Sequence, residues 1–324
     1  MSDAPRADRL WPESRAARSL DVLGIGQNSY DHVAELEAFP RFAGKAAARR
    51  YETLPGGQVA TALLGCARLG LRGAFVSTVG DDAPGEAVLR PLRAAGVDVS
   101  GVRRIPGAKT QIALILIDRA SGERTVVWYR DPRLALEVRD LSRASIERAR
   151  VLHLDASDPE VACWAADVAR EAGIPVVLDA DRYRPELDAI LRRVDFPIVG
   201  LEFAETYTSG GSVTDALVGL SGAGARLAVV TLGPIGALAR QGERRIESPA
   251  FRVEARDTTG AGDAFHAGFI WALLQGLDAE RALRIANAAG ALCCREIGAQ
   301  GGQPDRDALE AFLRAHEPIA WTGP

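Results

Sequence analysis

From residue 151 onward, short apolar runs alternate with helical patterns, and no other feature of this chain narrows its fold as much. Residues 151–154, 176–178, 198–199 and 227–232 read as buried strands. Between them, 159–172, 185–193 and 213–222 carry apolar residues at helical spacing. Alternation of this kind predicts a parallel sheet with helices on both faces, an α/β fold. The amino-terminal third supplies more of the same units. Strands are expected at 20–26 and 74–79, and helices at 59–69 and 86–95, closed by Gly70 and Gly96. Helices at 262–275, at 279–296 behind a capping Asp278, and at 305–316 complete the pattern.

Three β-rich runs stand apart from it: 46–54, 111–118 and 124–129. The last two flank Arg119-Ala120-Ser121-Gly122-Glu123 and read as a hairpin. Together they predict a small sheet detached from the main body, with an apolar face that needs a partner or a ligand to cover it. There is no internal repeat and no low-complexity linker, so 20–324 is expected to be one domain. Residues 1–19 are rich in Arg, Ala, Asp and Pro, lack the apolar segment of a secretory signal, and are expected to be a disordered tail.

The balance of 39 basic and 43 acidic residues, a net charge of −4, gives no electrostatic case for nucleic acid or an anionic membrane. Every apolar run is broken by charges before it reaches membrane-spanning length. Cys66, Cys163, Cys293 and Cys294 fall in helix-like apolar surroundings without a Cys-x-x-Cys pair. Free thiols in a reducing cytoplasm are expected, and no zinc site.

The chemistry points to Asp257-Thr258-Thr259-Gly260-Ala261-Gly262-Asp263-Ala264-Phe265. A glycine-broken loop runs straight into a helix-forming run, whose first N–H groups have no intrahelical partners and sit at the positive end of the macrodipole. Gly260 and Gly262 let an anion approach the backbone, so the junction suits a phosphate. Asp263 then places a carboxylate where an acceptor hydroxyl would meet that phosphate, as a general base requires. An N-cap in an ordinary turn is the bland alternative; the density of special residues within seven positions favours the site.

This run resembles the carboxy-terminal signature of the ribokinase-like (PfkB) family of sugar and nucleoside kinases, and the resemblance extends in motif order over about residues 20 to 304. It implies a three-layer α/β/α sandwich with a mainly parallel central sheet and a small β lid, contributed roughly by 32–54 and 108–131. It implies an anion hole at Gly260, Ala261 and Gly262 with Asp263 as base. Asp31, after the first strand, corresponds to an acid that holds sugar hydroxyls, and Gly56-Gly57-Gln58 to a substrate turn that more commonly reads Gly-Gly-Asn. Thr231, Gly233 and Gly236 match the family's Thr-x-Gly-x-x-Gly along the nucleotide, although a hairpin explains them locally; Asn287 matches a position near the adenine. Glu202, with Glu205 as rival, stands where the family organises Mg²⁺ through an Asn- or Ser-led acidic motif, here led by Gly200. Asp257 and the loop 298–302 correspond to a monovalent-cation site, such as one for K⁺. The implied activity is transfer of phosphate from ATP to a hydroxyl of a sugar-like substrate, a ketose or sugar derivative being slightly favoured, by a cytoplasmic homodimer paired through the lid. A nucleoside kinase and a non-catalytic sugar or nucleotide sensor are the alternatives.

Overall fold

The computed structural model describes residues 9–12 and 18–324. Numbered along the chain, its strands are β1 Leu20–Ile25, β2 Ser29–Leu36, β3 Arg50–Gly56, β4 Gly73–Gly80, β5 Asp98–Ile105, β6 Ile112–Asp118, β7 Arg124–Tyr129, β8 Ala149–Asp155, β9 Val176–Ala180, β10 Phe196–Gly200, β11 Ala228–Thr231, β12 Gly236–Gln241 and β13 Arg244–Pro249. The α-helices are α1 Gln58–Arg68, α2 Ala83–Ala94, α3 Arg143–Glu147, α4 Pro159–Glu171, α5 Asp188–Leu191, α6 Leu201–Tyr207, α7 Val213–Gly222, α8 Ala261–Leu274, α9 Ala279–Cys293 and α10 Arg306–Ala315.

Among the described residues the large sheet has nine strands, in the order β13-β12-β11-β10-β9-β8-β1-β4-β5. All neighbours are parallel from β11 to β5, and β12 runs antiparallel to β11 and β13. Strand residues of period two feed two separate cores. Val22, Val151, Val177, Ile198 and Val229 pack with residues of α1, α8 and α9. Leu23, Leu152, Leu178, Val199 and Val230 pack with residues of α4 and α7 on the opposite face. Each such buried aliphatic contributes about 1.5–3 kcal/mol relative to an exposed one. The expected helix–sheet–helix sandwich is therefore the fold. Chain order reverses between β1 and β8, which are paired, so a crevice opens at their carboxyl ends.

The second sheet has the order β3-β2-β6-β7. Strand β2 was not expected. The polar stretch 27–31 reads as a loop, yet β2 begins at Ser29 and pairs antiparallel with β3 and parallel with β6. Asp31 consequently lies on a strand of the second sheet rather than in a loop after β1. The expected strand at 46–54 sits later, at Arg50–Gly56. Strand β5 and helix α6 were also missed. The first is a charged edge strand and the second is seven residues long, and neither carries clear periodicity.

The tail expectation fails at Leu10-Trp11. Leu10 is fully buried and its N–H reaches the Leu277 carbonyl at 3.3 Å. Trp11 meets Phe196 edge-on at 6.1 Å, with the Arg226 guanidinium 4.8 Å above the indole. Apolar burial outweighs the disorder-prone composition around it. Residues 1–8 and 13–17 lie outside the described residues.

Candidate active site

The loop 257–260 and the first turn of α8 form the centre of the crevice. Gly260 adopts φ 81°, and a Cβ there would come within 2.4 Å of the Ala299 carbonyl oxygen, so the position admits only glycine. The Ala264 N–H donates to the Gly260 carbonyl at 2.9 Å and starts the helix. Among the described residues, no protein acceptor is within hydrogen-bonding reach of the N–H groups of Gly262 and Asp263. A Cβ on Gly262 would meet nothing within 4 Å, so the mouth above those donors is open. Ala261 departs from expectation: its N–H turns to the Thr258 carbonyl at 3.3 Å, because the left-handed Gly260 folds the chain back on itself. The free donors are shifted one residue along, to 262 and 263.

The loop is anchored from beneath. Asp257 is fully buried and its two carboxylate oxygens accept the N–H of Thr259 at 2.8 Å and of Gly298 at 2.7 Å. Gln303 Nε2 donates to the carbonyls of Ala299 at 3.0 Å and Gly260 at 3.3 Å. Asp257, expected at a cation, thus joins the anion loop to the loop at 298 through main-chain donors.

Asp263 is half-buried on the first turn of α8. Loss of water, and then the charges of Asp179 and Asp181, hold its carboxyl well above the ordinary carboxylate range, while Arg124 opposes them and Asp31 adds to them. On the second sheet, Asp31 is buried beside β3, where a Cβ on Gly56 would come within 2.0 Å of Asp31 Oδ2. Burial pushes the Asp31 carboxyl up to about 6; the nearby Ser29 side chain lowers it and the Asp257 charge raises it. Its Oδ1 is buried without a hydrogen-bond partner. Gly57, at φ 92°, caps α1 and lies against the backbone of Asn28. Gln58 opens that helix and, with Gln27 and Gln111, forms a chain of amides: Gln111 Nε2 donates to Gln27 Oε1 at 2.6 Å, and Gln27 Nε2 reaches Gln58 Oε1 at 3.5 Å. The expected acceptor residues Asp31, Gly56, Gly57 and Gln58 are therefore brought together. Asp155 closes the crevice floor, accepting the N–H of Gln27 at 2.6 Å and of Ser157 at 2.9 Å.

On the far side, Thr231 ends β11, with its hydroxyl on the Val199 carbonyl at 3.3 Å, and Gly233 opens a 3₁₀ turn to Ile235. Gly236, at φ 124°, would place a Cβ 2.1 Å from the Ser248 carbonyl oxygen. Asn287 Nδ2 donates to that same carbonyl and to Ser248 Oγ, both at 2.9 Å. Gly236 and Asn287 so converge on β13. Glu202 and Glu205 lie exposed on α6, and Glu202 faces Arg182 at 3.6 Å.

Sequence reading missed Arg124. The β6–β7 hairpin docks on the anion loop: Thr258 N–H donates to the Gly122 carbonyl at 3.1 Å, and Arg124 Nη1 donates to Thr258 Oγ1 at 3.1 Å. An arginine after a hairpin turn carries no local signal; only the docking reveals it. The start of α8, with β2 and β7 of the second sheet, thus offers an open pair of main-chain donors, the raised carboxyls of Asp263 and Asp31, and the Arg124 cation. Such a set can bind an anion, take a proton from a neighbouring hydroxyl and balance charge during transfer.

Comparison with known proteins gives the family. A family model described as pfkB family carbohydrate kinase matches residues 19–306. An ATP-dependent ribose-1-phosphate kinase of Halopiger xanaduensis is 33% identical over 300 residues, covering 90% of this chain and 97% of that protein. A ribokinase of Bacillus subtilis is 30% identical over 300 residues, covering 90% and 99%. The structure of Arabidopsis thaliana ribokinase complexed with ribose and ATP superposes with a TM-score of 0.77 at 25% identity, covering 91% of this chain and 99% of that one.

Proposed function

The chain belongs to the pfkB family of carbohydrate kinases, and on that premise we propose that Asp263 is the general base for phosphorylation of a sugar-type hydroxyl held in the β1–β8 crevice. The enzyme is an ATP-dependent kinase acting on a sugar or nucleoside. The observation that carries the site assignment is the start of α8, where two unengaged N–H groups and the raised Asp263 carboxyl share one helical turn.

In this reading the main-chain donors of Gly262 and Asp263 hold the transferring phosphoryl group, with Gly260 setting their direction. The acceptor O–H bond breaks and its proton passes to Asp263. The acceptor oxygen forms its bond to phosphorus as the bond to the ADP oxygen breaks. Asp31 and the Gly56–Gln58 turn orient the acceptor, and Arg124 balances charge from the lid formed by the second sheet. Thr231, Gly233, Gly236 and Asn287 shape the nucleotide wall. Mg²⁺ would neutralise charge between the β- and γ-phosphates. Among the described residues, no group of three or more His, Cys, Asp or Glu is arranged to hold a metal. Glu202, exposed on α6, is the carboxylate that would help to hold this ion. A K⁺-like ion, if bound, would be held by Asp257 and the 298–302 loop. The acceptor is a ketose or other sugar derivative, the protein is cytoplasmic, and a second copy pairs through the lid.

A nucleoside acceptor has one observation in its favour. Trp128 pairs with Ala113, which pairs with Asp31, so the indole shares a sheet face with the acceptor acid. The deciding experiment is ADP release with ATP and Mg²⁺ over a panel of ketoses, aldoses, sugar phosphates and nucleosides. Acceptor-dependent ADP with one sugar class is expected. Turnover confined to nucleosides would select the second reading, and no acceptor-dependent ADP across the panel would leave only a sensor.

A further inference from the structure

Behind the base lies a buried group of ionisable side chains that the proposed reaction does not use. Odd positions of β8 and β9 face the α8 side of the sheet, as Val151 and Val177 do. Continuing the same period brings His153 and Asp179 to that side. His266 follows Asp263 by three positions on α8, one helical turn further along. Its Nε2 lies 3.4 Å from Asp179 Oδ1, with the two residues only 3% and 7% exposed. The His153 ring stands 5.1 Å from the His266 ring, and both are buried.

We infer that Asp179 and His266 are positioning residues for the reaction: the buried His266–Asp179 pair, one helical turn along α8 from Asp263, holds a charge against the base. This rests on Asp263 being the base. The other charged groups facing Asp263 are Asp31 from β2, Arg124 from β7 and Asp181 just past β9. Those facing Asp179 are His266 from α8, His153 from β8 and Asp181 just past β9, with the Gln58 amide from α1 as a further partner. Among the charges acting on Asp263, Asp179 contributes most. Desolvation is the largest influence and opposes an ionised Asp179, but His266 foremost, with His153 and the Gln58 amide, together hold the carboxyl below its ordinary range. A base works best when its pKa lies near the working pH, and a paired, buried carboxylate is one way to raise a neighbour to it.

The test is the pH profile of kcat for the full chain with its best acceptor. Asp179→Asn removes the charge and keeps the shape, so the acidic limb should move about one pH unit lower, the size of a single nearby charge. His266→Phe should move the limb the same way, because an unpartnered Asp179 takes up a proton. His266→Gln, which retains a donor, should stay between this variant and the native enzyme. Limb position does not depend on how much protein folds, so a merely structural role would lower yield and leave it in place. An unmoved limb in Asp179→Asn, or an upward move in His266→Phe, would overturn the inference. Should His266→Phe fail to fold, Asp179→Asn and His266→Gln decide alone. Asp263→Asn separates the two levels: full turnover there removes the base reading, whereas a dead Asp263→Asn beside an unmoved Asp179→Asn limb removes only this one.

Discussion

Asp263 and Asp31 are both carboxyls held above their ordinary range, and they make different predictions. Asp263→Asn loses proton abstraction but keeps the shape of α8, so kcat should fall by about 10²–10⁴-fold while ATP binding by calorimetry stays within a few-fold. Native activity should also fall as pH drops, since a raised carboxyl is protonated earlier than a free one. At Asp31 the consequence is thermodynamic. Its folded-state pKa of about 6 exceeds the unfolded value, so the folded protein binds more protons than the unfolded chain between pH 4 and 6. The acid contributes its full stability below the unfolded pKa and loses it as pH rises through about 6. Asp31→Asn escapes that loss. Thermal unfolding should therefore find the variant more stable than the native protein at pH 8, by on the order of 2 kcal/mol, with the gap closing toward pH 4. Its activity should drop, because the carboxylate is kept for the acceptor. An equal gap at both pH values would refute the assignment of burial as the cause.

At the scale of the element, the two glycines of the α8 start have opposite duties. Gly260 is structural: a methyl there meets the backbone of Ala299 and a left-handed conformation costs an L-residue about 1–2 kcal/mol before the clash is counted. Gly260→Ala should lose well over that in chemical denaturation. Gly262 is open to the crevice and lies inside the helix, where alanine is about 0.5–1 kcal/mol better than glycine. Gly262→Ala should fold at least as well as the native protein and yet lose activity, because its methyl occupies the anion mouth. Parallel losses of stability and kcat in both variants would show that the turn only shapes the helix. This junction was legible in the sequence because its donors, its glycines and its acid are contiguous. Arg124 was not, and Asp179 was legible only as an acid at the end of a strand: each acquires its role from a partner far along the chain, Thr258 for one and His266 for the other. Strand β2 was hidden for a local reason, since Asp31 puts a charge where an inward-facing strand residue is normally apolar. The rule that misread it fails at a position the crevice needs polar.

For the whole molecule, the second sheet has to satisfy two surfaces at once. Its inner face carries Asp31 and reaches the anion loop through the 122–124 tip. Register places Leu114 opposite Val127 and His32, on the face that turns away from Asp31. Leu114, Val127, Tyr129 and Tyr51 are all exposed, with Val127 at 60%. His32 hydrogen-bonds Tyr51 at 2.6 Å across that same face. An apolar and aromatic sheet face of this kind is costly to leave in water, and the proposed second copy would cover it. Because the same four strands frame the acceptor side, pairing and catalysis should be linked. Leu114→Glu combined with Val127→Glu places two carboxylates on the shared face without touching Asp31, Arg124 or α8. Sedimentation should then show a monomer where the native chain sediments as a dimer. KM for the acceptor should rise more than KM for ATP, because the sheet that holds Asp31 loses its backing while α8 keeps its own. A native chain that sediments as a monomer, with the outer-face variant unchanged in both constants, would assign that face to some other partner.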